Sequence, residues 1–300
     1  TGLVALNTAR ASGPANWATL SRIALTAVLS SLFVRLGWVG PLMGTLAMTG
    51  PVVLEWLMTR WLAQPYIRRL QHTDAPAASL KMQFLFTVPL SFGGALLSTA
   101  GLMIGAFIAR AADPVRMLPL HYVTMGIVNP VGFAALRMQA VTLAFPPRAR
   151  GDRAVLWFAL VAGVVLAFFP LVGQVPWVAR WYFGAIQNVS PEDIPLAMRA
   201  MLLISALPVI QAVRAHAEGL AAWRRRPNAI LAGQAMNLAV LVCVLFTLLN
   251  FGVPGYLMGV IAILAATLMT LVTVRLGLVW AELEETFGRS PREVRETEGN

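Results

Sequence analysis

The sequence predicts an all-α polytopic membrane protein, a bundle of eight transmembrane helices. Three observations carry this. Hydrophobic residues make up 58% of the 300 residues and charged residues 12%, with a mean hydropathy of +0.72; a soluble domain carries roughly twice that share of charge. Charged and Pro/Gly clusters cut the chain into eight apolar runs, each about as long as the ~20 residues a membrane helix needs, or longer. Alternating strand patterns of the kind a membrane β-barrel uses are absent.

The runs are, in order, Trp17–Leu36, Gly40–Leu62, Met82–Ala109, Met117–Phe145, Ala154–Leu171, Leu196–Leu220, Ala229–Leu249 and Pro254–Trp280. Their connections alternate in charge. Arg10, then Arg68, Arg69 and Lys81, then Arg148, Arg150 and Arg153, then Arg224, Arg225 and Arg226, then Arg289, Arg292 and Arg295 all fall on one side. The other side holds Arg35, Arg110, Arg116 and Arg180. The positive-inside rule therefore predicts an integral protein of a cell inner membrane with both termini cytoplasmic. It also accounts for the net charge of +10 without nucleic acid. Before the sixth run, Trp177, Trp181, Tyr182 and Phe183 suit the outer interface, where aromatic rings are enriched. Ser190 there reads as an N-cap, with Pro191 and two acids in the first turn. The segment 283–300 reads as a charged tail.

The chemistry that can be excluded is broad. Cys243 is the only cysteine, and His72, His121 and His216 lack i, i+4 partners, so neither an internal disulfide nor a metal site is expected. No phosphate-binding loop, nucleophile elbow or zinc-protease motif occurs. The expectation is a protein without cofactor that is not an enzyme.

A 215-residue shift lays "GWVGPLMGTLA" (Gly37–Ala47) on "GVPGYLMGVIA" (Gly252–Ala262) and Arg60 on Arg275. Both copies leave the same side of the membrane, as a parallel repeat does. Four helices precede the second copy and none the first. The expectation is an N-terminally truncated fragment: residues 1–70 as the last two helices of one six-helix repeat, and 71–282 as a complete second repeat.

Several segments resemble the progressive ankylosis protein family, a MATE-like branch of the multidrug/oligosaccharidyl-lipid/polysaccharide flippase superfamily. "VRAHAEG" (Val213–Gly219) before a basic loop is similar to that family's tenth helix. "SLKMQFLFTVPLSFGGALL" (Ser79–Leu97), with Pro89, resembles the opening of its second half. "NPVGF" (Asn129–Phe133), "QAVTLAF" (Gln139–Phe145) and "FGVPGYLMG" resemble later helices. The resemblance spans about residues 10 to 280 and implies two parallel six-helix halves and alternating-access export of an organic or phosphate-type anion. The chain departs from the family at "LSTAGLMIG", without charge or proline, and in the short spacing from Pro130 to Gln139.

Polar residues inside the spans are costly and usually face a cavity or a partner. Arg22, Asn129, Arg137, Arg214 and His216 are the candidate substrate-binding residues, at a common depth in the cytoplasmic half with Gln234 and Asn237. Glu55 and Glu218 are candidates for a coupling-ion site, for a proton or sodium ion, or for structural pairs. Simpler readings stand beside these. Arg22 and Arg137 can snorkel to headgroups. Glu55 can pair with Arg60, and Arg214 with Glu218 at i, i+4. Asn129-Pro130 can be a kink. The arginines outnumber the carboxylates and favour an anion, small or lipid-linked, with membrane lipid as the surrounding partner. A MATE-type drug–proton or drug–sodium antiporter centred on Glu55, a lipid-linked saccharide flippase and a non-transporting scaffold are the alternatives.

Overall fold

The computed structural model describes residues 6, 12–38, 40–68, 79–147 and 153–287, which form helices and turns with no strand among them. Arg10, Arg69, His72, Arg148, Arg150 and residues 288–300 lie outside the described residues. Seven helical stretches among those described are long and apolar enough to cross a membrane. The chain is an integral membrane protein with a polytopic helical architecture. The apolar run Met82–Ala109 also forms one continuous helix, Leu80–Ile108.

The chain divides into two compact units, residues 1–77 and 78–300. In the first, α1 (Ser12–Arg35) packs on α2 (Pro41–Arg68). Helix α1 ends in a Schellman turn. Gly37 takes φ +70°, the Trp38 amide donates to the Phe33 carbonyl at 2.9 Å, and the Gly37 amide donates to Val34. A left-handed residue at this place costs glycine nothing, and the turn satisfies carbonyls that the helix end would orphan.

The second unit comprises α3 (Leu80–Ile108), α4 (Pro114–Leu136), α5 (Met138–Ala144), α6 (Ala154–Val172), α7 (Pro176–Ala179), α8 (Ile194–Ile204), α9 (Leu207–Trp223), α10 (Pro227–Asn250) and α11 (Gly255–Phe287). Helix α11 is the hub: it packs on α10, α9, α4, α8 and α3. Fully buried Ile108, Val128, Phe183, Met201, Ile204, Leu241, Leu245, Met258 and Val260 belong to the main apolar core around it. Small residues set the closest approaches, as expected where lipid removes the usual hydrophobic drive between helices. Helix α6 buries the stripe Ala159, Gly163 and Ala167 while Trp157, Phe158, Phe168 and Phe169 stay exposed. A Cβ on Gly163 would stand 2.8 Å from the Val209 Cα of α9. Helix α10 ends as α1 does, with Gly252 at φ +66° and the Val253 amide on the Leu248 carbonyl at 3.0 Å.

Five expectations need correction. The run Met117–Phe145 is broken at Arg137, between α4 and α5, and not at Asn129-Pro130; α4 continues through Pro130. The run Leu196–Leu220 is two helices, parted at Ser205–Ala206, with Pro208 in the first turn of α9. Ser190 caps no helix. Its hydroxyl donates to the Asp193 carboxylate at 2.8 Å within a turn, and α8 starts only at Ile194. Phe183 is fully buried in the core, not at the interface, because residues 180–186 are wound as a π-helix that turns this ring inward. Helix α11 runs on to Phe287, past the expected start of the tail at 283.

Candidate functional site

A polar cluster sits where α9, α10 and α11 meet. The sequence "AVRAHAEGLAA" puts alanine or glycine on both sides of His216 and Glu218, and alanine after Arg214. Small neighbours let α5, α10 and α11 close over the helix; a Cβ on Gly219 would lie 2.9 Å from the Gln139 carbonyl of α5. The charged side chains are thereby enclosed. Arg214 is 3% exposed, His216 5% and Glu218 4%.

Their contacts follow from helical geometry. Arg214 and Glu218, four apart, share one face, with Arg214 Nε 3.0 Å from Glu218 Oε1. That nitrogen is not aligned to donate a hydrogen bond. The hydrogen bond to Oε1 comes instead from Gln234 Nε2 of α10, at 2.9 Å. His216 points elsewhere, its Nδ1 3.3 Å from Arg275 Nη2 of α11. Asn237 Nδ2, one turn along α10 from Gln234, donates to Thr270 Oγ1 at 2.9 Å. Thr270 passes its own proton to the Ala266 carbonyl. Arg214 Nε and Gln234 Oε1 remain buried without a hydrogen-bond partner. Two guanidiniums and an imidazole thus share the region with a single carboxylate, Arg214 against Glu218 and Arg275 against His216. With Glu218 ionised the cluster is a net cation, with spare donor and acceptor capacity.

The other predicted residues are placed differently. In the first unit Glu55 accepts from Arg22 Nη1 at 2.9 Å and from the Thr19 hydroxyl at 2.8 Å. Glu55 therefore does not pair with Arg60, whose guanidinium lies over the Trp56 ring. Arg22 points across the hairpin to this carboxylate. Asn129 is exposed on α4, and Arg137 is exposed at the junction of α4 and α5. Arg137 is thus exposed while Arg214 is enclosed. Comparison of the chain with protein-family models, with curated proteins and with solved structures finds no match in any of the three.

Two participants escaped the sequence reading. Arg275 stood out only as a residue matched in the repeat; its approach to His216, 59 positions away, depends on the register of α9 against α11. His121 was set aside for want of a metal-ligating partner, yet it is 2% exposed and its Nδ1 has no partner. Its position seven residues after the charged turn Arg110–Asp113–Pro114 was the available signal: an ionisable group inside a span.

Among the described residues no group of His, Cys, Asp and Glu is arranged to hold a metal ion.

Proposed function

We propose that this chain belongs to an alternating-access transporter of the MATE-like, progressive ankylosis type, and that it exports an organic or phosphate-type anion. The observation that carries the reading is the enclosure of Arg214, His216 and Glu218 among membrane-spanning helices, with half-buried Arg275 against His216. Charge inside a span is costly to keep unless it serves a substrate or a coupling ion. Two guanidiniums offer the planar donor forks that suit carboxylate and phosphate oxygens. Arg214 and Arg275 are the anion ligands, His216 and Gln234 orient them, and Glu218 holds Arg214 between transport events. Arg137 is left outside this set. The apolar runs and the distribution of arginines support an inner-membrane protein with cytoplasmic termini and eight spans.

Two features support the parallel repeat. The Schellman turns at Gly37 and Gly252 have the same backbone form, and the polar pairs Arg22–Glu55 and Asn237–Thr270 are related by the same 215-residue shift. The pairing of Glu55 with Arg22 counts against the alternative of an antiporter centred on a free carboxylate at Glu55. The test is flux in proteoliposomes loaded with labelled organic acids, inorganic phosphate or lipophilic cations. Efflux of an anion that is lost in Arg275→Ala supports the proposal. Efflux of cations alone would replace it with the antiporter, and no flux of any solute would leave the scaffold reading.

A further inference from the structure

We propose that His121 is a proton-binding site that holds the α4–α11 seam closed when neutral and opens it when protonated. The inference deepens the transport cycle and rests on that reading only for its direction, the side charged by Arg110, Asp113 and Arg116 being taken as external.

The geometry is a ring set in a notch. Helix α11 begins Gly255-Tyr256-Leu257-Met258-Gly259, and α4 lays Met117 and His121, one turn apart, over the two glycines. A Cβ on Gly259 would stand 2.3 Å from His121 Cε1 and 2.8 Å from Nδ1, so the imidazole occupies the space of the missing side chain. Ile104 of α3 borders the same space. The ring lies beside the backbone of Tyr256. Its Nδ1 is buried without a hydrogen-bond partner. The next residue, Tyr122, sets its hydroxyl over Gly105 of α3 and meets the His121 ring edge-on at 5.5 Å. The whole helix face is therefore seated on bare backbone.

This arrangement suits neutral imidazole and no other state. In the neutral ring with its lone pair on Nδ1, that buried nitrogen leaves only an acceptor idle. A second proton turns Nδ1 into a charged donor facing Gly259 and an isoleucine, with nothing to receive it. The ionisable groups around it give no relief. Tyr122 and Tyr256 are the titratable residues nearest on α4 and α11, and the flanking α3 residues are Ile104 and Gly105. On the α8 side Asp193 is already engaged by Arg116. Water is the remaining acceptor, and it reaches Nδ1 only if α4 leaves α11. Proton binding and seam opening are then one event, and acid on the outer side favours an outward-open state.

The experiment reads conformation rather than transport. In a Cys243→Ala background, spin labels at the exposed positions Val115 and Phe251 report the distance between the outer end of α4 and the turn before α11. The protein is held in lipid nanodiscs at values stepped from about pH 8 down through about pH 4, well past ordinary histidine titration. The expected result is a shift of several ångströms, roughly 2–5 Å on the scale of known helix displacements, at the lower pH. The shift should vanish in His121→Gln, which fills similar space without titrating. Gly259→Ala should give the open distance at every value. A shift that persists in His121→Gln, or none in the parent protein, overturns the proposal. If the seam responds as expected while proteoliposomes show no flux, the proton site stands and the transport reading fails.

Discussion

Asn237 Nδ2 donates a 2.9 Å hydrogen bond to Thr270 Oγ1 across the α10–α11 hairpin, 33 residues on in sequence. Arg22 Nη1 reaches Glu55 Oε2 at the same distance and the same separation across the α1–α2 hairpin. The two hairpins keep one cross-helix register, although one pair is neutral and the other ionic. The neutral pair is buried; the ionic pair keeps part of each side chain exposed, where charge is less costly.

The first prediction follows from that shared register. In Asn237→Ala the Thr270 hydroxyl keeps its bond to Ala266, so the cost is the cross-helix bond, about 0.5–2 kcal/mol by comparison with other membrane proteins. Glu55→Ala leaves Arg22 without its carboxylate and should cost more. The paired exchange Arg22→Asn with Glu55→Thr should recover most of that loss, because the Asn–Thr pair fits this spacing in the other hairpin. Thermal unfolding in detergent, followed by circular dichroism, checks the order. Equal loss in the single and paired variants would show that the registers differ.

Glycine packing gives the second prediction. An alanine at Gly163 meets the Val209 Cα at 2.8 Å and the Pro208 carbonyl at 3.3 Å. Backbone cannot swing aside as a side chain can, so Gly163→Ala must part α6 from α9, at about 1–3 kcal/mol. Gly44 has nothing within 4 Å of its missing Cβ. There the same change should be neutral or gain up to ~1 kcal/mol of helix propensity. Opposite shifts of unfolding temperature are expected from one chemical substitution.

What the sequence disclosed and what it hid have physical causes. The bilayer imposes long apolar runs, so the spans were legible with no tertiary information. The Arg214–Glu218 pair was legible because i, i+4 spacing lies within one helix. The break at Arg137 was not, because one arginine in an apolar stretch does not stop a helix; the break at Ser205 had a local signal in Pro208, which cannot donate to the Ile204 carbonyl. Arg275 and His121 depend on the register of helices distant in sequence, and no local spacing encodes that. The ring that fills the space beside Gly259 was likewise not deducible.

The third prediction concerns the turn before α8. Arg116 Nε donates to Asp193 Oδ1 at 2.6 Å, and the Ser190 hydroxyl donates to Oδ2. The Arg116 hydrogen bond, the larger cause, together with that from Ser190, holds the Asp193 carboxyl below its ordinary value. A carboxyl lowered in the folded state stabilises it above the unfolded value, about 3.9 for Asp, and loses that contribution as pH falls through the folded value. The turn 187–193 should thus stay protected from hydrogen exchange near neutrality and lose protection below about pH 4. Asp193→Asn should lack protection at both values. His121 lies outside this turn, so His121→Gln leaves the acid step in place and separates the two responses.

The last prediction addresses the proposed anion site. If Arg214 and Arg275 grip substrate oxygens, Arg→Lys keeps the charge and loses the fork. A charge-assisted hydrogen bond is worth about 1.5–3 kcal/mol, so Arg275→Lys should raise the apparent Km for the anion roughly tenfold or more. Arg275 has the greater freedom to show this cleanly, since its partner His216 is uncharged when the ring is neutral. Arg214 is bound to Glu218, and Arg214→Ala strands a buried carboxylate, a change that costs about 3–5 kcal/mol and depletes folded protein. Its informative variant is Arg214→Gln with Glu218→Gln, which removes both charges together and should fold. That double variant should lose anion affinity while Glu218→Gln alone retains it. The assay is substrate titration in inside-out vesicles normalised to folded protein. Unchanged affinity in both Arg275→Lys and the double variant would move the site away from the α9–α11 seam.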